Sequence, residues 1–576
     1  MSARSLHPAW LILVKVLAVK LDYDCRISFP VLIDPFVQSF DSMLRATASS
    51  ILGFVALPDR VADQVFLPGS LAGLSIKKCS DTVLAAPVAS AAQCLYHVVK
   101  WINTETPFCK NTIVAAFDSS GAQAALGLLA DKEVFVSAFG FVSCTTPDDS
   151  LLNLFCSAPP ISISGLQGRI LKAIQNSRFL KLYETAGSAR EKSRLLSASG
   201  PGNGACYSDA PADQNFWLLD LDFTFSSLYR LGIDVPSRSG KCQHYSAAAR
   251  NDAGIMPICN ADLTRSPDHF LMCKKGGCIN RIHQAIAHLL ALFCREAGYD
   301  TRLEVVIPEF AKPRSASDQI PTGLSSREYS QMTQGILDVV ASHTFDATEF
   351  LLDATVRHPM ATNSARLAPL IPGAAAINGE HDKHIRYPSS KGRCVTPCAI
   401  ETWGRLGPSL VAFIDTLSAT AQRRDLAHGL PRGNYKQRWL TMLSCTLNKA
   451  IARAIFDSLY YSAPSPHSPL DESTVLSQEQ VSAALRNASS PYGLRMFPFP
   501  RVIATPTSAP VSLAASVVPV APGMRELFAR RNANDAPAAT PEEDLLNRPL
   551  SEAPISAPLS SPAPVSGAGN AFGLHS

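Results

Sequence analysis

The sequence predicts a mixed fold: a mainly α-helical N-terminal region, an α/β unit in the middle and a disordered C-terminal tail. Three observations carry this. Residues 1–240 read as helices joined by loops, with apolar residues at helical spacing. Residues 281–460 change to the order helix, three strands, helix, strand, followed by two more helices. Beyond residue 460, Pro, Ala and Ser dominate and almost no period survives. At about 150 residues per domain, 576 residues make three or four units. The divisions fall at 1–240, a Cys/His-bearing segment at 241–280, the α/β unit at 281–460 and the tail at 461–576.

The elements follow in order. Phe36, Phe40 and Leu44 share one helix face, with Asp34-Pro35 as N-cap and first-turn proline, and the stripe reads as core. Ser, Gly and Pro clusters between residues 147 and 215, including Ser197 to Gly204, predict a flexible surface loop. The stripe Ile282, Ile286, Leu289, Phe293 predicts a helix stopped near Gly298. Leu303 to Ile307 reads as a strand and Pro308 to Met332 as a loop. Gly335 to Ala341 and Glu349 to Arg357 read as strands joined by a hairpin turn at His343 to Thr348. Ala374 to Tyr387 reads as helix, Val395 to Glu401 as strand, and residues 408–425 and 436–460 as helices. After Ser462 only Ser477 to Asn487 keeps a period, and such a segment cannot bury enough apolar surface to offset its ordering entropy.

Composition narrows the function classes. Hydrophobic residues form 46% of the chain, ample for real cores. A net charge of +4 is only mildly basic, so affinity for nucleic acid must come from local clustering. Fifteen irregularly spaced cysteines point to free thiols and metal ligation in a reducing, intracellular compartment, nuclear or cytoplasmic. The apolar run Trp10 to Leu21 is short and broken by Lys15 and Lys20, unlike a membrane span or a signal peptide. Neither a Tyr-x-Asp-Asp polymerase pair nor a Walker A loop occurs, so a polymerase palm and P-loop chemistry are not expected.

Chemistry concentrates between Cys259 and Gly404. His269 and Cys273 form a zinc half-site, since their spacing on a turn or helix start lets both reach one tetrahedral ion. Cys259 is a third ligand, and Cys242, His244 or Cys278 could supply the fourth. Without metal, the same segment would be held by packing and hydrogen bonds. The hairpin symmetry sets Asp338 opposite Asp353, about 5 Å apart at Cα, close enough for both carboxylates to hold one Mg²⁺ or Mn²⁺ if they share a face. The alternative is that one of them is a solvated strand residue. Phosphodiester cleavage at such a metal also needs a cation at the scissile phosphate, and Lys383 on the following helix could reach in to supply it. Glu296 or Glu304 could add a metal ligand. Arg386, Lys391, Arg393 and Arg405, with the basic residues after them, either contact phosphates or form a solvated face.

The order of these pieces resembles the C-terminal part of non-LTR retrotransposon reverse-transcriptase proteins. There, a Cys/His zinc knuckle precedes a restriction-like endonuclease domain of the PD-(D/E)xK type. Leu67-Pro68-Gly69-Ser-Leu-Ala-Gly73-Leu74 and Leu228-Tyr-Arg230-Leu231-Gly232 extend the likeness over roughly residues 28–420, into the region that follows the polymerase in that family. The resemblance implies a post-polymerase helical region, a degenerate zinc knuckle and a restriction-endonuclease-like α/β domain. It implies DNA and element RNA as partners, and metal-dependent nicking of DNA that frees a 3′-hydroxyl for priming. The alternative is a non-catalytic nucleic-acid-binding remnant of such an element.

Overall fold

The computed structural model describes residues 5–28, 30–102, 165–234, 240–244, 258–275, 277–311, 334–343, 348–390, 392–430 and 433–460. In chain order come α1 (Leu6–Ile12), a π-helical turn (Leu13–Leu17), α2 (Asp24–Ile27), α3 (Pro30–Ile51), α4 (Asp59–Val65) and α5 (Cys79–Ile102). Then follow α6 (Leu166–Glu184), α7 (Ala189–Ser197), α8 (Asp220–Leu231), α9 (His269–Met272) and α10 (Cys278–Glu296). The last group is β1 (Tyr299–Val306), β2 (Ile336–His343), β3 (Glu349–Arg357), α11 (Ala374–Arg386), β4 (Val395–Glu401), α12 (Pro408–Ala427) and α13 (Tyr435–Tyr460). The fold is thus mixed, with helices first and a four-stranded sheet after. The expected tail (461–576), Lys391, the hairpin tip (344–347), residues 147–164 and most of the loop expected after Pro308 lie outside the described residues.

Two expectations in the helical region are corrected. α3 starts at Pro30, so Asp34 is not its N-cap and Pro35 lies inside it. Phe36 is 62% exposed, while Ile33, Val37, Leu44 and Ala48 are buried. Residues at successive spacings of four drift about 40° per step around a helix of 3.6 residues per turn, which carries Phe36 off the face that buries Leu44. The second correction concerns Ser197 to Gly204, expected as a flexible surface loop. Ser197, Ala198, Ser199 and Asn203 are buried, because the turn supplies acceptors to a cation in the core.

That cation is Arg230, on α8. Its guanidinium donates to Gly73 O at 3.1 Å, Gly69 O at 2.6 Å, Ala198 O at 2.8 Å and Asn203 Oδ1 at 2.7 Å. A buried charge requires such satisfaction, and here backbone carbonyls provide most of it. Gly69 and Gly73 are small for the same reason. A Cβ on Gly73 would lie 1.8 Å from Leu67 O, and one on Gly69 would lie 2.8 Å from Asn203 O. Beside it, Arg194 donates to Gln64 Oε1 at 3.1 Å and Arg230 O at 2.5 Å. The short motifs around Gly69 and Arg230 are therefore two halves of one interaction.

At the N-terminus, His7 is fully buried. Its Nε2 is 2.7 Å from Cys206 O, to which it donates, and Nδ1 accepts from Leu218 N–H at 3.1 Å. Both ring nitrogens are satisfied only in the neutral form, and burial holds the pKa down to about 4.

The sheet has the order β1-β2-β3-β4, antiparallel through β3 and parallel between β3 and β4. Val339 pairs with Leu352, Val340 with Leu351 and Ser342 with Glu349. The next step outward sets Asp338 opposite Asp353, the register the hairpin symmetry predicts. Val339, Ala341, Leu352, Ala354, Cys398 and Ile400 pack with the α10 stripe Ile282, Ile286, Leu289, Phe293 and with α12 and α13 in one large core. Val340, Leu351 and Val395 pack on the other face with Ile307, Phe310 and Tyr387. Strand alternation puts both aspartates on this second face. The large core also takes in Leu67, Leu195, Phe225, Tyr229, Phe270 and Leu271, so the helical region and the Cys/His segment share it.

Two measurements check this architecture. Arg230→Lys should lower unfolding free energy in urea by about 3 kcal/mol, since one ammonium cannot serve four fixed acceptors. His7 is kept neutral when folded but takes up a proton below about pH 6.5 when unfolded, so its contribution is present above that value. It is lost as pH falls toward 4, amounting to about 3 kcal/mol, and His7→Gln should flatten that part of the stability–pH profile.

Candidate functional site

Two clusters stand out, and a buried polar chain connects the first to the sheet. In the first, backbone pairing brings distant cysteines together. Cys242 N–H donates to Ala261 O at 2.8 Å, Asn260 N–H to Cys242 O at 2.9 Å and Cys259 N–H to His244 O at 2.7 Å. This short antiparallel pairing sets Cys242 beside Cys259, and α9 delivers His269 and Cys273 to the same point. The ligand atoms of Cys242, Cys259, His269 and Cys273 lie within 4.8 Å of one another, a Cys₃His group that could hold a metal ion. Cys242 Sγ and Cys273 Sγ are 3.9 Å apart, and Cys259 Sγ is 3.2 Å from His269 Nε2. Hydrogen bonds from Cys273, His244 and Ser458 hold Cys242 below an ordinary thiol pKa, while the same Cys242 contact pushes Cys273 up.

The three ligands expected from sequence are thus joined by Cys242. His244 and Cys278, the other two candidates, pair with each other behind it at 3.1 Å. Burial pulls the His244 pKa down, but its bonds to the sulfurs of Cys242 and Cys278 outweigh this and bring it up to about 10.

From the cluster a polar chain runs inward. Asp268, next to His269, accepts both Arg190 Nε (2.7 Å) and Nη2 (2.8 Å) and lies 3.5 Å from His358 Nε2. His358 Nδ1 is 2.7 Å from Thr402 Oγ1. Burial pushes the Asp268 carboxyl up, yet Arg190 and His358 bring it down to about 2. His358 follows β3 and Thr402 follows β4, so the Cys₃His loop is bound to the ends of the two parallel strands.

The second cluster is the acidic pair. Asp338 Oδ2 accepts Ala354 N–H at 2.6 Å and Oδ1 lies 3.0 Å from His283 Nε2. Lys383, on α11, donates to both oxygens of Asp353 at 3.0 and 2.9 Å. Burial pushes the Asp353 carboxyl up, and the hydrogen bond and charge of Asp338 add to this against the pull of Lys383. Burial also acts to raise Asp338, but His283, Asp353 and the Ala354 N–H outweigh it and hold this carboxyl below the usual range. The pair therefore behaves as an ionised Asp338 bonded to an Asp353 that readily keeps its proton. Lys383 thus supplies the positive charge that two face-sharing carboxylates call for.

α11 holds Lys383 firmly. Glu401, at the end of β4, accepts the N–H groups of Ala375 (2.9 Å) and Ala376 (3.2 Å), capping the helix. Glu380, on α11, accepts Ser409 N–H at 3.0 Å and Ser409 Oγ–H at 2.8 Å at the start of α12. These glutamates serve helix ends. Glu296 accepts Arg438 Nη2 at 2.7 Å and Trp439 Nε1 at 2.5 Å, anchoring α13 away from the pair. Glu304 faces Asp338 across β1 in register, but it is exposed, has φ 51° and is missing from the ladder.

The basic residues are mostly engaged internally. Arg393 binds Glu349 and Glu309 at 2.7 and 2.6 Å. Arg405 donates to Leu196 O at 3.0 Å and Ser199 Oγ at 3.0 Å. Arg386 donates to Gln334 O at 3.0 Å and stacks on Tyr387. Sequence reasoning missed His283 as a partner of the acid pair and left Cys242 as one of three candidates for the fourth ligand. His283 is joined through space, and only its offset of about a quarter-turn from the buried α10 stripe hinted at its direction.

In metal-free protein, infrared difference spectra should show a protonated carboxyl persisting above the ordinary carboxylate range, and Asp353→Asn should remove it while Asp338→Asn shifts it. No protein-family model matches the chain, and no curated protein matches it either.

Proposed function

We propose that the chain is the C-terminal part of a retrotransposon-type protein in which the α/β unit is a restriction-like, metal-dependent DNA endonuclease of the nicking kind. The observation that carries this reading is the meeting of Asp338 and Asp353 on adjacent strands with Lys383 from the next helix. The helix, three-strand, helix, strand order agrees with the same fold expectation. A divalent ion such as Mg²⁺ or Mn²⁺, when bound there, would supply Lewis acidity and water activation. The chain's own residues do the rest. Asp338 and Asp353 hold the cation, His283 and the Ala354 N–H fix the Asp338 carboxylate, and the Lys383 ammonium answers phosphate charge.

The Cys₃His group is read as a structural zinc site. Metal–sulfur bonds of about 2.3 Å in a tetrahedron put sulfurs about 3.8 Å apart, close to the 3.9 Å between Cys242 and Cys273. Four protein ligands close the coordination shell, as structural sites require.

A second reading keeps the fold and nucleic-acid binding without cleavage. It is favoured by one observation: both Asp353 oxygens are already taken by Lys383. A plasmid-nicking assay with Mg²⁺ or Mn²⁺ separates the two. Cleavage should fall about a hundredfold or more in Asp338→Asn and in Asp353→Asn, while DNA binding persists; wild-type protein that binds DNA but never nicks it supports the remnant. Elemental analysis should find one zinc per chain, lost in Cys242→Ser and kept in Cys278→Ser.

A further inference from the structure

Asp353 is almost sealed from solvent at 3% side-chain exposure, whereas Lys383, which holds both of its oxygens, is 23% exposed. Among the described residues, Lys383 is the one ammonium or guanidinium hydrogen-bonded to Asp353. Asp338 has no such occupant: its oxygens meet a backbone N–H and the His283 ring. A divalent ion reaching the pair must therefore compete with a lysine for the same two oxygens. That lysine sits at the solvent side, where a phosphate would arrive.

We propose that Lys383 is the resident counter-ion of the acid pair and couples two ligands, a DNA phosphodiester and a divalent cation. This rests on reading Asp338 and Asp353 as a metal site. A phosphodiester that draws the ammonium outward frees both Asp353 oxygens, and a cation that occupies those oxygens repels the ammonium toward the phosphodiester. Each ligand then strengthens the other by the same factor, because a coupling free energy is reciprocal. The helix need not move. α11 is capped by Glu401 and braced by Glu380, and the four methylenes of Lys383 provide the reach.

The sign of the effect is fixed by charge. Removing the ammonium favours whatever cation replaces it, and a divalent ion gains twice what a single proton gains. Metal binding is therefore strengthened even though the unmasked carboxyl must first lose a proton.

The test uses the full chain with zinc in the Cys₃His group, and Mn²⁺ as the probe, with free Mn²⁺ counted by electron paramagnetic resonance. Wild-type protein should bind Mn²⁺ weakly, and a short DNA duplex should tighten it by about fivefold or more; a duplex with a neutral methylphosphonate backbone should not. Lys383→Met should bind Mn²⁺ about tenfold more tightly without DNA and lose most of the enhancement by DNA. Lys383→Gln, which keeps a hydrogen-bond donor without the charge, should behave likewise and guards against misfolding of the first variant. Mn²⁺ binding no tighter in both variants than in wild type overturns the proposal while leaving the metal site standing. Mn²⁺ binding unchanged in Asp353→Asn overturns the metal-site reading itself, and the proposal with it.

Discussion

A guanidinium with no carboxylate partner among the described residues, that of Arg230, sits where the helical region meets the sheet. Its hydrogen bonds all go to dipoles: three backbone carbonyls and one amide oxygen, from the loop after α4 and the turn after α7. Each loop must hold its carbonyls at fixed distance or leave a buried charge uncompensated, an error costing several kcal/mol. The rest of the joint is built outward from this cage. Tyr229, next to Arg230, stacks on Trp403 with ring centroids 5.4 Å apart. Asn203, which receives one of the Arg230 bonds, leaves no room for a side chain at Gly404. Arg405 completes the seam by donating to carbonyls of the α7 C-terminus. The loop after β4 is thereby positioned by the helical region as much as by its own sheet.

Two chemically distinct clusters hang on this frame. The Cys₃His group gathers three soft sulfur donors and one imidazole within 4.8 Å, which suits holding a fold together. The acid pair offers hard oxygen donors whose resident partner, Lys383, is itself partly exposed. Between the first cluster and the sheet, Arg190, Asp268, His358 and Thr402 form one buried chain from α7 through the Cys₃His loop to the ends of β3 and β4. A metal ion bound by the Cys₃His group would therefore be felt at the strand that carries Asp353, through a carboxylate whose charge depends on two partners.

How legible this was in the sequence varied with the range of the interaction. The β2–β3 register could be read because a hairpin relates its partners by simple symmetry, and β4 and α11 announced themselves by residue type and period. Lys383 could be assigned by default, as the lysine of the helix that follows the second acid. Cys242 could not be chosen over His244 or Cys278, because the choice depends on which side of a two-residue backbone pairing faces α9. Phe36 was misread because a strict spacing of four drifts around the helix. Ser197 to Gly204 was misread because its composition is that of a loop, while its carbonyls are recruited by a cation thirty residues away in sequence. A restriction-like fold stays an inference from element order and the acid pair.

The two glutamates that cap helices have a kinetic consequence. Glu401 fastens the start of α11 to β4, and Glu380, one turn before Lys383, fastens α11 to the start of α12. A helix pinned at its end and along its length has little freedom to slide or rotate. Any rearrangement at the acid pair is then confined to rotation about side-chain bonds, on the picosecond-to-nanosecond scale of exposed rotamers rather than the microsecond-to-millisecond scale of moving helices. If the pair holds a divalent ion as proposed, exchange there would be limited by how fast ions arrive and shed water, with the protein around it a rigid frame.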